Sequence, residues 1–269
     1  MDNVTDVVRT YYDENVEKEW ARLKKERLEY DINMHFLSRY IQPGDTLLDI
    51  GGGPGRYSLA FSERGVNVTL CDLSPENVAF AKAQAEAAGL SLRAFAGDAR
   101  EIASLTDEMY DHVLLMGPIY HLLTAEDRAA AMAAALSRLK VGGTIAVAYI
   151  NSYAGMIYDM REMPEMLLNP QDQEYFAGLA KGLGYAGDGF TKVAFEPYRN
   201  VLPFMEQFGL EKLHFLSSES MFAPCSDRLY ALEEPLYREW LKQGIRLCEL
   251  PDALPYAEHL LYIGRKKEK

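Results

Sequence analysis

Thr46-Leu-Leu-Asp-Ile-Gly-Gly-Gly-Pro-Gly-Arg-Tyr57 decides how the rest of the chain is read. Leu47-Leu48-Asp49-Ile50 is a short apolar run, the pattern of a buried strand. Gly51 to Gly55 turns the chain, and Tyr57 to Arg64 has helical composition ending at Gly65, a residue suited to the C′ position. Strand, glycine turn and helix in this order form the first unit of a doubly wound α/β sheet, whose ligands lie at the carboxyl ends of the strands. Glycines at such a turn let a ligand approach the backbone where a Cβ would collide.

The spacing narrows the choice of ligand. A dinucleotide fingerprint places glycines at its first, third and sixth positions. Here they fall at Gly51, Gly53 and Gly55, and the sixth position is Arg56. Asp49 precedes the turn by two residues and would repel a pyrophosphate while tolerating an ammonium group. Both features oppose a nicotinamide-dependent oxidoreductase. Two more carboxylates close predicted strands. Asn67–Leu73 carries Asp72, 21 residues after Gly51, where an acidic group can accept from both ribose hydroxyls. Ser74 and Pro75 then start a helix to Ala88, so Ser74 fills the capping role and leaves Asp72 for a ligand. Leu92–Asp98 ends in Asp98.

Taken together, these residues resemble motif I and the following acidic positions of the class I S-adenosylmethionine-dependent methyltransferases, in their bacterial small-molecule form. Arg138-Leu-Lys-Val-Gly-Gly143 adds to the likeness. The resemblance implies a Rossmann-like seven-stranded sheet with its last strand antiparallel. It covers residues 32–150 well and 199–265 only in topology. It implies S-adenosyl-L-methionine as cofactor and S-adenosyl-L-homocysteine as product. Gly51, Gly52, Gly53 and Gly55 would meet the methionine moiety and Asp49 would orient its ammonium. Asp72 would hold the ribose, Leu73 would pack on the adenine, and Asp98 with Ala99 would read the adenine edge. Backbone around Met116 and Gly117 would lie beside the sulfonium.

After the fourth strand, Asp111–Gly117, nucleic-acid amino methyltransferases carry Asn/Asp/Ser-Pro-Pro-Tyr. This chain has Gly117-Pro118-Ile119-Tyr120, without the side-chain carbonyl that would hold a nucleobase amine. Tyr120 is a candidate for lining the methyl channel and His121 for a general base, each against the reading that it packs or bonds locally. Tyr11 and Tyr12, on a helix ahead of the sheet, are candidate lid residues or packing residues.

The domain expectation is N-terminal helices as a cap over 1–41 and a cofactor-binding core over 42–150. A lid insertion rich in Met and Tyr follows over 151–198, and the rest of the core over 199–269 carries a helical insertion at 227–250. Strand five is expected at Thr144–Ile150, after a helix from Thr124 to about Lys140. The 269 residues carry a net charge of −12, which argues against a nucleic-acid or anionic-membrane partner. Cys71, Cys225 and Cys248 show no metal or redox spacing, no metal cluster is evident, and no signal peptide or membrane span is read, so a cytoplasmic protein is expected. The function expected is methyl transfer to an N, O or S atom of a small molecule. A cofactor-binding sensor or scaffold, and a protein or RNA methyltransferase, are the competing readings. The oligomeric state is left open.

Overall fold

The computed structural model describes residues 3–268. Three helices open the chain: α1 (Val4–Glu14), α2 (Val16–Lys25) and α3 (Arg27–Leu37). The alternating core follows as β1 (Thr46–Ile50), α4 (Arg56–Glu63), β2 (Asn67–Asp72), α5 (Pro75–Ala87), β3 (Arg93–Ala96), a short α6 (Ile102–Leu105), β4 (Tyr110–Leu115), α7 (Ala125–Ser137) and β5 (Leu139–Asn151). Next come α8 (Ala154–Glu162), α9 (Pro170–Ala180) and the strands β6 (Tyr185–Asp188) and β7 (Lys192–Glu196). The chain closes with α10 (Tyr198–Glu206), β8 (Glu211–Ser217), α11 (Ser226–Tyr230), α12 (Glu234–Leu247) and β9 (His259–Arg265).

Strands β1 to β5 are parallel in the order β3-β2-β1-β4-β5. β9 runs antiparallel along β5 and pairs β8 on its other edge. Those seven strands are the expected sheet. The structure has nine, because the segment read as a helical lid also holds the β6–β7 hairpin. β7 pairs β5 at Ile150↔Phe195 and Asn151↔Glu196. Ile150 also faces His259 of β9 across its other edge, so β7 shares with β4 one edge of β5 and lies past the end of β4. The hairpin therefore stands at the carboxyl end of the sheet.

The strand pleat splits the apolar residues between two layers. Leu48 and Ile50 join Met132 and Ala135 of α7 and Val201 and Met205 of α10 on one face. Leu47 joins Ile32 and Phe36 of α3, Phe61 of α4 and Leu241 of α12 on the other. Each fully buried leucine or isoleucine contributes about 1.5–3 kcal/mol, which fixes β1 and hence the direction in which its glycine turn leaves the sheet. The N-terminal helices expected over 1–41 are three in number among the described residues. Strand five begins earlier than expected: α7 stops at Ser137, and Leu139 already pairs Tyr110 before a register shift that passes Gly142. The helical insertion expected over 227–250 is two helices, α11 and α12, and Pro235 lies in the first turn of α12, where its missing N–H costs nothing.

Candidate active site

The glycine turn is held by backbone conformation and by its neighbours. Gly51 and Gly53 have φ of +72° and +55°, left-handed values that favour glycine. A Cβ on Gly51 would stand 2.4 Å from Pro118 Cδ, and one on Gly52 would stand 2.8 Å from the Asp49 carboxylate. A Cβ on Gly53 would meet nothing within 4 Å. Gly51 and Gly52 are therefore small for packing, whereas Gly53 presents bare backbone to open space. That space is a cavity of about 440 Å³ across the strand tips. Gly55 does not line it among the described residues; its Cβ would lie 3.0 Å from Ala81 of α5. Its smallness serves helix packing.

Asp49, Asp72 and Asp98 all line the cavity, each with partners of its own. Asp49 is buried and accepts from the Ser58 hydroxyl at 2.7 Å. Burial pushes its carboxyl up to about 6, against the Ser58 hydrogen bond, which lowers it. Asp72 accepts from Gly53 N at 2.7 Å, Ser74 N at 2.9 Å and Asn77 Nδ2 at 3.1 Å. Ser74 does cap α5, through Asn77 N at 3.0 Å. Asp72 is nevertheless not idle, since it ties the glycine turn to the start of α5. A carboxylate offers about four acceptor positions, so room remains for a ligand donor. Asp98 is gripped by Arg100, whose Nε and Nη2 lie 3.0 and 2.6 Å from its two oxygens. Burial raises the Asp98 carboxyl, but the Arg100 hydrogen bonds outweigh it and hold it below the ordinary carboxylate range.

Leu73, Ala99, Met116, Gly117 and Tyr120 also line the cavity. Tyr120 is bonded to the Met116 carbonyl at 3.2 Å. His121 Nδ1 lies 2.8 Å from the Lys192 carbonyl of β7, which can only accept, so Nδ1 carries the proton. Its Nε2 then accepts from Tyr12 OH at 2.8 Å. Burial lowers the imidazole to about 4, partly offset by the carbonyl, so the ring is neutral with both nitrogens engaged. Tyr12 lines the cavity. Tyr11 does not: its ring packs on Phe190 at the hairpin tip, 5.8 Å between centroids, which is the packing alternative.

The roof is made by α1 to α3, through Val4, Val8, Tyr12, Leu23 and Glu29 among others. No residue of 151–198 or 227–250 lines the cavity among the described residues. The hairpin acts from behind, holding His121. Arg100 also reaches Thr5 Oγ1 of α1 at 2.9 Å and Asp127 at 2.8 Å, so it pins the roof to the strand tips. Sequence reasoning missed Arg100, Ser58, Asn77, Arg56, Glu29 and His259. Only Arg100, two residues after a strand-end Asp, had a local signal. His259 donates from Nδ1 to Glu219 at 2.7 Å, with Glu29 3.8 Å away. Burial lowers this imidazole, but Glu29 and Glu219 raise it to about 10, so it is charged. Glu29, Glu219 and His259 are the one group of three metal-ligand types found close together among the described residues.

No helix among the described residues is long and apolar enough to cross a membrane.

Comparison with known proteins agrees with this geometry. A family model described as a methyltransferase domain matches residues 47–143. The chain is 26% identical over 181 residues to a ubiquinone biosynthesis O-methyltransferase of Xanthomonas axonopodis pv. citri, covering 63% of this chain and 74% of that protein. It is 29% identical over 116 residues to the tRNA 5-carboxymethoxyuridine methyltransferase of Escherichia coli K12, covering 42% of this chain and 43% of that one. The fold matches magnesium protoporphyrin IX methyltransferase from Synechocystis PCC 6803, solved with S-adenosylhomocysteine, at a TM-score of 0.61 and 12% identity, over 98% of this chain and 100% of that one. The glycine turn, the carboxylates along the strand tips and these likenesses lead to one conclusion: residues 47–143 form a methyltransferase domain, in a chain similar to the S-adenosylmethionine-dependent methyltransferases.

Proposed function

We propose that the protein methylates an N, O or S atom of a small molecule enclosed under α1 to α3. The observation that carries this reading is the cavity itself, roofed by the N-terminal helices and lined by acidic groups at the strand tips. A nucleic acid would have to pass a phosphate chain by Asp72, Asp98, Asp127, Glu19 and Glu29 on a chain of net charge −12, a costly approach.

The site suits the cofactor. Bare backbone at Gly53 faces the cavity, and Asp49 is a buried carboxylate at the methionine end. In this reading Gly51 to Gly53 hold the methionine moiety and Asp49 its ammonium. Arg56, at the first turn of α4, lies over the Tyr30 ring and has a buried Nη1 without a hydrogen-bond partner among the described residues; in this reading it meets the carboxylate. Asp72 takes the ribose, Leu73 packs on the adenine, and Asp98 with Ala99 takes the adenine edge. Tyr12 closes the roof. When bound, the cofactor supplies an activated methyl group on a sulfonium. The chain's own task is then alignment and exclusion of water. His121 cannot serve as a free base while Tyr12 holds its Nε2; we assign it to positioning Tyr12 and Tyr120. The domain division follows: cap over 1–41, cofactor core over 42–150, and the insertion over 151–198 as a brace behind His121.

Tritium-labelled S-adenosylmethionine, incubated with separated small-molecule, tRNA and protein fractions of a bacterial extract, tests the reading. Label in the small-molecule fraction alone is expected. Label in tRNA would overturn it.

A further inference from the structure

The cavity runs across the tips of the sheet, and its two ends differ. Asp72 and Asp49 lie on β2 and β1, and Asp98 two residues after β3, all on one side of β4. Beyond β4, the wall is made by Tyr120 after β4, by His259 at the start of β9 and by Glu29 of α3. His259 stands opposite Ile150, at the carboxyl end of β5.

Glu29 is the distinctive group there. Its side chain is mostly buried, at 18% exposure, and it makes no hydrogen bond among the described residues. It is the charge that acts most strongly on the buried Tyr120 and Tyr57 hydroxyls, so its carboxylate stands among the polar groups of that end. Two of the cations lining the cavity are already paired, and one of them, His259, also lies 3.8 Å from Glu29. Arg22 is committed to Glu19 at 2.9 Å and Glu26 at 2.6 Å. His259 is committed through Nδ1 to Glu219, whose other oxygen accepts from His259 N at 3.0 Å. This end sets two carboxylates, Glu29 and Glu219, against one charged imidazole, so the wall is net negative. A carboxylate or phosphate placed there would meet the Glu29 carboxylate at close range, and burying an anion beside a like charge is costly.

We propose that this end is the methyl-acceptor subsite and that Glu29 binds the transferring N–H or O–H of a hydroxyl- or amine-bearing small molecule without an anionic group. The inference rests on the small-acceptor reading above. The acceptor's lone pair forms a bond to the methyl carbon as the carbon–sulfur bond breaks, and the electron pair of that bond stays on sulfur. The acceptor's proton passes to the Glu29 carboxylate. Nothing is oxidised or reduced. His259, fixed by Glu219, is a positioning residue: its ring lies 3.8 Å from the Glu29 carboxylate and holds it at the cavity wall.

The test uses three probes of one size and different charge: benzylamine, benzyl alcohol and benzoate. Each is titrated calorimetrically into the full chain saturated with S-adenosylhomocysteine, for the wild type and for Glu29→Gln. Expected is benzylamine binding at least tenfold tighter than benzoate, with benzyl alcohol between. Glu29→Gln weakens benzylamine at least tenfold, removes its preference over benzoate and leaves S-adenosylhomocysteine affinity within twofold, which shows that the variant is folded. Benzylamine binding no tighter than benzoate, including binding of neither, overturns the proposal, as does an unchanged benzylamine affinity in Glu29→Gln. Failure of the wild type to bind S-adenosylhomocysteine would instead remove the methyltransferase reading underneath it.

Discussion

The two ends of the cavity are built by different rules. The end at β1, β2 and β3 comes from consecutive strand–turn–helix units, so each functional side chain lies within a few residues of a strand end. The far end is assembled from α3, from the turn after β4 and from the start of β9, with Glu29 and His259 separated by most of the chain. The first is local and repeated in form. The second exists only once the sheet has closed. Holding a cofactor shared by many enzymes needs the first kind of site, and choosing one acceptor needs the second.

The largest expected effect separates the two ends. Asp72→Ala removes the proposed ribose partner and should weaken S-adenosylhomocysteine binding by about 2–3 kcal/mol, the scale of lost charge-assisted hydrogen bonds. Calorimetry measures it, with a melting curve as control because Gly53 N, Ser74 N and Asn77 also lose their acceptor. Unchanged affinity in a folded variant would break the assignment of that end.

Next come the glycines. Gly51→Ala drives a Cβ into Pro118 at positive φ and should cost about 2–3 kcal/mol of folding stability. Gly53→Ala meets no protein atom, so folding should lose only the left-handed penalty of about 1–2 kcal/mol. Its methyl group enters the cavity, so cofactor binding should suffer more than stability does. Denaturant unfolding beside calorimetry gives both numbers, and equal behaviour of the two variants would contradict the distinction.

A smaller effect is expected from pH. Burial sets the Asp49 carboxyl at about 6, and the ionised form is the one that attracts an ammonium. Affinity for S-adenosylhomocysteine should therefore be maintained above pH 6 and fall as pH drops through 6, by up to about tenfold per unit. Asp49→Asn should bind more weakly and lose that dependence. A flat wild-type profile from pH 5 to 7 would remove Asp49 from the ammonium's partners. The smallest effect is that of Tyr12→Phe, which deletes the hydrogen bond to His121 Nε2 and should cost about 1 kcal/mol of stability. It should also raise the imidazole's titration midpoint, visible in the ring-proton shifts of His121.

The same contrast explains what could be read from the chain. Leu47-Leu48-Asp49-Ile50, Asp72 after its strand and Ser74-Pro75 at a helix start each carry a local signal of burial, turn or cap. The succession of strands and helices in the core and the carboxylates at the strand ends were therefore legible. Glu29 sits in a charged amphipathic stretch and looks like any solvated acid; only the packing of α3 against α12 and the sheet puts it inside. The β6–β7 hairpin was hidden because Tyr185-Ala-Gly-Asp188 has two small residues and little alternation, and it pairs β5 through only two residues. Asp72 shows the limit of local logic. A cap residue beside it suggested that its carboxylate was spare, yet it holds three donors, one of them across the turn from Gly53.

A crystal structure with S-adenosylhomocysteine bound tests the central claim most directly. The account predicts the adenosine between Leu73 and Ala99, ribose hydroxyls on Asp72, and the sulfur beside Met116 and Gly117 with Glu29 beyond it. Density for the nucleoside at the Glu29–His259 end, or in the separate recess formed by Arg128, Tyr149 and Glu196, would contradict it.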